Sequence, residues 1–493
     1  MHSSITRAYF ASPPWAQNAL LSAYGLWLRH LRYGPQGARA LTELRRSQWA
    51  QPSQLERLQL GALNALLAHA RTAVPFYAER LPAGPLHHLS ELDAVPLLRK
   101  DEVRRAGDAM HAVPRRAQRL VEIHTGGTTG TPLTIVASRD ALRRNYAFFE
   151  RFREATGVSR GMRTATFAGR TVVPPWQARP PFWRYNAAAR TLLLSSYHIA
   201  PDTIPAYVEA LASFRPELID SYPSSLEPIA RYLHEHAIHA IRPRAIITSS
   251  ETLLPEARHT IAGAFGCRVY DHYGAAEMAA FITQCEAGHY HVNPEFGIVE
   301  VLRDGCPAAP GETGELVATG FVNPVMPFIR YVTGDLAVQG HAGERCACGR
   351  WQPTIERIIG RMDDVLVTPE GRRIGRLDPI FKSVAQLVET RIVQDARDHV
   401  RVEAVARDDL APDERDTLLR ELRHRLGPSM RIDFVRVARI PRTAGGKLRA
   451  VVNLLQPAPG APAYETPDGL ASGPVSQPDK AEPADPIAGI GRR

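Results

Sequence analysis

Cysteine is scarce in this chain. Five in 493 residues cannot build a disulfide framework, and an odd count would leave one thiol unpaired in an oxidising compartment, so a reducing cytoplasm is the expected location. Also missing is a compact Lys/Arg block interleaved with aromatics, which a nucleic-acid groove would need. The formal net charge of +9 comes from arginines scattered opposite many carboxylates. It is read as a complement to anionic small-molecule substrates, with no nucleic acid as partner. Long apolar runs are lacking too. The stretch from Trp15 to Leu28 is interrupted by Gln17 and Asn18 and has neither a basic leader nor a cleavage site, which argues against a signal peptide and against an integral membrane segment. Its Trp, Leu and Tyr positions are expected to line one helical face docked on the protein's own core. No internal repeat is visible.

What is present suffices for large cores. With 44% hydrophobic and 23% charged residues the composition is that of a soluble globular protein, and the length calls for at least two domains. Residues 1–110 read as helical, with Leu recurring at helical spacing from Leu55 to Ala70. From His124, Gly/Thr-rich turns alternate with β-branched runs such as Ala245 to Thr248 and Gly297 to Val301, and with helical stretches such as Ile204 to Phe214. This texture predicts an α/β core over 111–359. Strand-like Arg401 to Val405, a charged helix around Asp413 to Leu426 and strand-like Arg431 to Val435 predict a small α+β unit over 360–455. Residues 456–493 are Pro-, Gly- and Ala-rich without apolar periodicity and are expected to be a disordered tail.

Five short motifs carry candidate chemistry. His124-Thr125-Gly126-Gly127-Thr128-Thr129-Gly130-Thr131-Pro132-Leu133 follows a strand-like run; its glycines and hydroxyls suit a polyphosphate, although the Gly-Lys-Ser/Thr ending of a Walker loop is missing. In Val269-Tyr270-Asp271-His272-Tyr273-Gly274-Ala275-Ala276-Glu277 an aromatic suited to stacking on a base precedes, by four residues, a carboxylate suited to Mg²⁺. Tyr331-Val332-Thr333-Gly334-Asp335 offers a carboxylate to two ribose hydroxyls. Gly360-Arg361-Met362-Asp363-Asp364 and Pro441-Arg442-Thr443-Ala444-Gly445-Gly446-Lys447-Leu448 complete the set, the last placing a lysine on a glycine-rich loop able to reach a developing negative charge. Each is weak alone; a buried Tyr beside a solvated Glu would explain the second equally well.

Taken in order, the five resemble the adenylate-forming superfamily of acyl-CoA synthetases, peptide-synthetase adenylation domains and luciferases. The nearest likeness is to its phenylacetate-CoA ligase and CapK-like branch, to which Ala68 to Tyr77 and Val95 to Asp101 are also similar. The resemblance spans about residues 55 to 450. It implies an α/β large N-terminal domain of the adenylate-forming type and a small mobile α+β C-terminal domain. It further implies that Thr125, Gly126, Gly127, Thr128, Thr129 and Gly130 wrap the phosphates of ATP, with Thr128 among the catalytic residues. Asp271, His272, Tyr273 and Gly274 would form the nucleotide wall, Tyr273 stacking on adenine with Ser250 and Glu251 alongside. Glu277 would be catalytic as the Mg²⁺ ligand. Asp335 and Arg361 would hold the ribose, Asp363 would be the hinge, and Lys447 would serve the adenylation step. Leu133 stands where many members have lysine, and Gly126-Gly127 replaces their commoner Ser-Gly.

The reaction so implied joins a carboxylic acid to ATP, releases pyrophosphate, and passes the acyl group to CoA. A second reading sends it to an amine, a hydroxyl or a carrier-protein thiol. A third is an inactive nucleotide-binding scaffold, against which the joint retention of Glu277, Asp335 and Lys447 argues. Position alone suggests Tyr197, Tyr222 and Ser224 for the acid pocket, and a homodimer is left open. Finally, Cys346-Ala347-Cys348 lies about sixty residues beyond Cys285 and His291. Three thiolates and an imidazole make a Cys₃His set for structural zinc, with His289 as the alternative to His291 and with Cys267 and Cys306 as ordinary residues.

Overall fold

The computed structural model describes residues 4–112, 120–124, 133–168, 171–174, 176–361, 366–369, 373–374, 381, 386–406, 410–442 and 448–455. Helices come first: α1 (Ser4–Ala11), α2 (Pro14–Arg32), α3 (Pro35–Ser47), α4 (Pro52–Ala73) and α5 (Lys100–Ala106). Proline at the first or second position starts α2, α3 and α4. There its missing N–H costs nothing and its fixed φ already suits the helix. A hairpin of β1 (Leu120–His124) and β2 (Thr134–Ser138) follows, its last described pair being His124 and Thr134, and then α6 (Arg139–Ala155), capped by the Ser138 hydroxyl.

The expected α/β texture is realised by β3 (Thr164–Ala168), β4 (Trp183–Asn186), β5 (Thr191–Ser195), α7 (Ile204–Phe214), β6 (Leu218–Ser221), α8 (Pro223–Glu235), β7 (Ala245–Ser249), α9 (Pro255–Phe265) and β8 (Val269–Gly274). Strands β5, β3, β6, β7 and β8 are mutually parallel neighbours. Crossover helices cover their faces, which is why Ile219, Ala245 and Ile246 are wholly buried. Beyond β8 the same sheet turns antiparallel through β9 (Phe281–Gln284), β10 (Tyr290–Val292), β11 (Gly297–Arg303), β12 (Cys306–Pro307), β13 (Thr313–Gly320), β14 (Tyr331–Gln339) and β15 (Thr354–Arg361), for thirteen strands in all. Gly360 and Arg361, expected to open the second unit, pair with Leu336 and Asp335 and belong to this sheet.

The short pair β16 (Leu366–Val367) and β17 (Arg373–Ile374) precedes a second sheet of β18 (Leu387–Ala396), β19 (His399–Ala406), β20 (Arg431–Arg436) and β21 (Val451–Asn453), in the order β20-β19-β18-β21. Helix α10 (Pro412–Leu426) packs Leu418, Leu422 and Leu426 against Val400 and Val402 in a separate core. This is the small α+β unit.

One expectation holds in part. Only part of the apolar set of α2 docks inward: Leu28 and Leu31 are buried together with Gln17 and Gly25, and Tyr24 packs beside them, while Trp15, Leu20, Leu26 and Trp27 are exposed. Periodicity located the helix, but polar partners on β4 set its rotation, as described below.

Candidate active site

In an open parallel sheet, ligands collect beyond the carboxyl ends of the strands, where the topology switches. Here that place lies past Ser249 of β7 and Gly274 of β8, beside the change to antiparallel pairing at β9. A cleft of about 970 Å³ opens there, lined from the large sheet by Ser250, Glu251, Tyr273, Glu277 and Asp335 and from the small unit by Glu389 and Leu448. Asp271, His272 and Gly274 are on its wall as well.

Four aromatic and acidic groups interlock at its floor. The Tyr273 phenol donates a 2.6 Å hydrogen bond to Asp335 Oδ2, and the Tyr331 phenol donates to Glu277 Oε1 at 3.2 Å. Gly334 has φ of +80°, a conformation open to glycine, and Asp335 N donates to the Thr333 hydroxyl at 3.1 Å. Burial raises the Glu277 carboxyl above its ordinary range, with Lys100 opposing the shift. Burial, reinforced by the Asp335 charge, pushes the Tyr273 phenol well up, so it remains a donor.

Asp271 is engaged within the protein. Its two oxygens accept from the Thr248 hydroxyl at 2.6 Å and the Tyr290 phenol at 2.8 Å, and burial raises its carboxyl to about 6. His272 sits among Phe149, Phe152 and Phe281, and burial lowers it to about 4, leaving a neutral ring at neutral pH. Strand alternation thus puts His272 on the opposite face of β8 from Asp271 and Tyr273; of the latter two, Asp271 is taken up by Thr248 and Tyr290 and Tyr273 by Asp335.

The two units meet at Glu251. Its Oε1 accepts from the Ser224 hydroxyl at 2.9 Å and from Leu448 N at 3.0 Å, and its Oε2 accepts from Ser224 N at 3.1 Å. Ser250, one residue earlier, holds φ of +68°, a strained conformation for a non-glycine residue that recurs at functional sites. Within the small unit Arg442 donates to Glu389.

Several expected residues lie outside the described ones: Thr125, Gly126, Gly127, Thr128, Thr129, Gly130, Asp363, Lys447 and the tail 456–493. Of Arg361 the backbone is described, paired with Asp335. Of the residues suggested for the acid pocket, Ser224 is among the described residues lining the cleft, and Tyr197 and Tyr222 are not. Sequence reasoning missed Lys100 and Tyr331 as cleft residues, although both stand in motifs it noted. Leu98 exchanges backbone hydrogen bonds with Arg330 and Val332 at 2.9 Å each, which carries Lys100 to the cleft. The available signal was rarity: lysine occurs four times, at 100, 382, 447 and 480.

Apart from the cleft, the donor atoms of Cys285, His291, Cys346 and Cys348 lie within 4.8 Å of one another. The Cys285 and Cys346 sulfurs are 3.9 Å apart, and Cys348 Sγ is 3.5 Å from His291 Nε2. A tetrahedral zinc with bonds of about 2.3 Å to sulfur and 2.0–2.1 Å to nitrogen has edges of roughly 3.8 and 3.6 Å, so the set fits that ion. His291 Nδ1 is 3.1 Å from the Gln352 carbonyl, an orientation in which Nε2 carries the free lone pair. Exposed His289 sits 3.1 Å from Cys346 Sγ but belongs to no four-donor group among the described residues. Cys267 packs on the parallel-sheet core, and Cys306 is exposed in β12.

The fold and the cleft now stand beside known proteins. Residues 366–454 match the family model of the CapK C-terminal domain. Protein CapK of Staphylococcus aureus is 29% identical over 90% of this chain and 98% of its own. A phenylacetate-coenzyme A ligase of Thermus thermophilus is 25% identical over 81% of this chain and 96% of its own. Among solved structures, 2-hydroxyisobutyryl-CoA ligase in the postadenylation state, bound to 2-HIB-AMP, is similar with a TM-score of 0.67 at 21% identity, over 83% of this chain and 91% of that one. The class is therefore that of the adenylate-forming ligases. Within it, the chain is similar to the branch that holds CapK and the phenylacetate-CoA ligases.

Proposed function

We propose that this protein activates a carboxylic acid with ATP, forming the acyl-adenylate and pyrophosphate, and passes the acyl group to CoA. The observation that supports it most is the interlocked set of Tyr273, Asp335, Tyr331 and Glu277 at the switch point of the sheet, facing Leu448, the neighbour of Lys447, across one cleft. In this reading Tyr273 stacks on adenine and Asp335 with Arg361 takes the ribose hydroxyls. The loop from Thr125 to Gly130 wraps the phosphates, with Ser250 and Glu251 beside the base. Mg²⁺, held by Glu277, would supply neutralisation of the phosphate charge when bound. A carboxylate oxygen attacks the α-phosphorus, pyrophosphate leaves, and the Lys447 ammonium stabilises the charge that accumulates on the phosphoryl oxygens. No protein nucleophile is required. Transfer to the thiol then needs the small unit to turn about Asp363, giving up the Glu251 to Leu448 hydrogen bond.

A structural zinc ion at Cys285, His291, Cys346 and Cys348 belongs to the same reading; its donor set closes the coordination sphere, so it organises the loops and takes no part in the chemistry. The resemblance to CapK supports a second acceptor, an amine, hydroxyl or carrier-protein thiol in polysaccharide or secondary-metabolite biosynthesis. The deciding experiment is ATP–pyrophosphate exchange with aryl, fatty and hydroxy acids, followed by acceptor competition. Exchange stimulated by one acid establishes adenylation and names the acid class; ATP binding without exchange for every acid leaves the inactive scaffold.

A further inference from the structure

Helix α2 carries an apolar face that the protein does not cover: Leu28 and Leu31 at its C-terminal end pack into the core, but the first half of the helix meets the protein through polar side chains. The Gln17 amide donates to the Tyr9 and Ser12 carbonyls at 2.9 Å each and accepts from Arg184 Nε. Asn18 Oδ1 accepts from Tyr185 N and the Ser22 hydroxyl accepts from Ala187 N, both at 2.9 Å. Gly25 approaches Asn186 so closely that a Cβ there would lie 2.5 Å from its amide nitrogen. These contacts with β4 fix the helix rotation.

What remains outside is apolar. Trp15, Leu20, Leu26 and Trp27 are 74%, 52%, 58% and 40% exposed, and at helical spacing they fall within an arc of about 140°. Trp176, 69% exposed and edge-on to Phe10 of α1 at 5.5 Å, extends the patch past the start of the helix. Single exposed apolar side chains are ordinary; a continuous face with two tryptophans marks an interaction surface.

Its electrostatic setting identifies the partner. Residues 1–42 contain no Asp or Glu but four arginines, and residues 155–201, which include Trp176 and β4, contain no Asp or Glu but six. Arg29, beside His30, is exposed in the last turn of α2. Arg184 of these is buried, while Arg7, Arg29, Arg39, Arg179 and Arg190 are exposed, so a symmetric contact between two copies would bring like charges together, which opposes pairing. An anionic phospholipid surface complements both features: it offers phosphates to arginine and an acyl boundary to Trp and Leu. The helix cannot cross the bilayer, since no helix among the described residues is long and apolar enough.

We propose that the outward face of α2, continued by Trp176, docks in the plane of an anionic phospholipid bilayer, with its Trp and Leu side chains at the acyl boundary and the neighbouring arginines on lipid phosphates. This does not depend on the proposed reaction.

The test is co-sedimentation of the full chain with vesicles of phosphatidylcholine alone and with about a third phosphatidylglycerol, at low and high salt. The expected result is at least about tenfold more binding to the anionic vesicles, weakened by salt, with a blue shift of tryptophan emission. The variant Trp15→Glu/Leu26→Glu should lose it with unchanged circular dichroism and ATP affinity, and Leu26→Gln serves should the double variant fold poorly. Protein that stays in the supernatant with both vesicle types overturns the proposal, as does equal binding by a folded variant. A wild-type dimer that ignores vesicles and dissociates in the variant also overturns it, by assigning the face to a second copy.

Discussion

The phenol of Tyr273, at the end of β8, and the carboxylate of Asp335, on β14, are sixty-two positions apart in sequence and share a 2.6 Å hydrogen bond. The bond ties the parallel half of the large sheet to its antiparallel half across the cleft. It holds the Tyr273 ring against β14.

Asp335→Asn should therefore lower kcat/KM for ATP in the adenylation step by about 10- to 100-fold, the equivalent of a charged hydrogen bond or two. Tyr273→Phe should cost less, and the double variant less than the sum of the two, because both remove the same bond. Strictly additive losses would show that the pair does not act together on the nucleotide.

Lys447→Ala should leave the melting temperature and ATP binding by calorimetry unchanged while lowering adenylate formation by about 10²- to 10³-fold. Exchange at the parental rate would remove Lys447 from the reaction.

Asp271 carries a pH signature. Burial raises its carboxyl from 3.8 to about 6, so the folded protein keeps a proton that the unfolded chain has released. Between about pH 4 and pH 6 stability should therefore fall as pH rises, and the loss should be complete above that window. Asp271→Asn abolishes the term: relative to the parent, its melting temperature should climb across the same window, by an amount on the order of 3 kcal/mol in free energy. A difference that stays flat with pH would mean that the carboxyl titrates normally.

For the cysteine cluster, elemental analysis should return about one zinc per chain. Cys348→Ser should abolish it and lower the melting temperature by several degrees, whereas Cys306→Ser should change neither. Metal-free protein that melts like the parent would remove the site.

Where local pattern decides the outcome, the sequence was a sufficient guide. Helix α7 has the limits its apolar spacing predicts, and β7, β19 and β20 contain the β-branched runs that announced them. That Cys285, His291, Cys346 and Cys348 come together was legible because few residue types bind zinc and the family resemblance suggested the set, although the spacing is not a standard finger pattern. Contacts made at long range were not legible. Lys100 reaches the cleft only because Leu98 pairs with β14. The facing of α2 was legible at Leu28 and Leu31 but misjudged at its two tryptophans, because apolar periodicity assumes that every apolar position goes inward, whereas Gln17 is claimed by Arg184, 167 residues away.

The clasp at Glu251 has a further consequence. Of its three hydrogen bonds, two are to Ser224 of the large unit and one is to Leu448 N of the small unit. Freeing Leu448 exchanges a single backbone hydrogen bond for one to water, a change of about 1 kcal/mol, while Ser224 keeps the carboxylate in place. Arg231 Nη1 donates to the Leu387 carbonyl at 3.2 Å, the other hydrogen bond described between the units. The proposed domain turn would therefore give up two hydrogen bonds while the Glu251 carboxylate stays seated on Ser224.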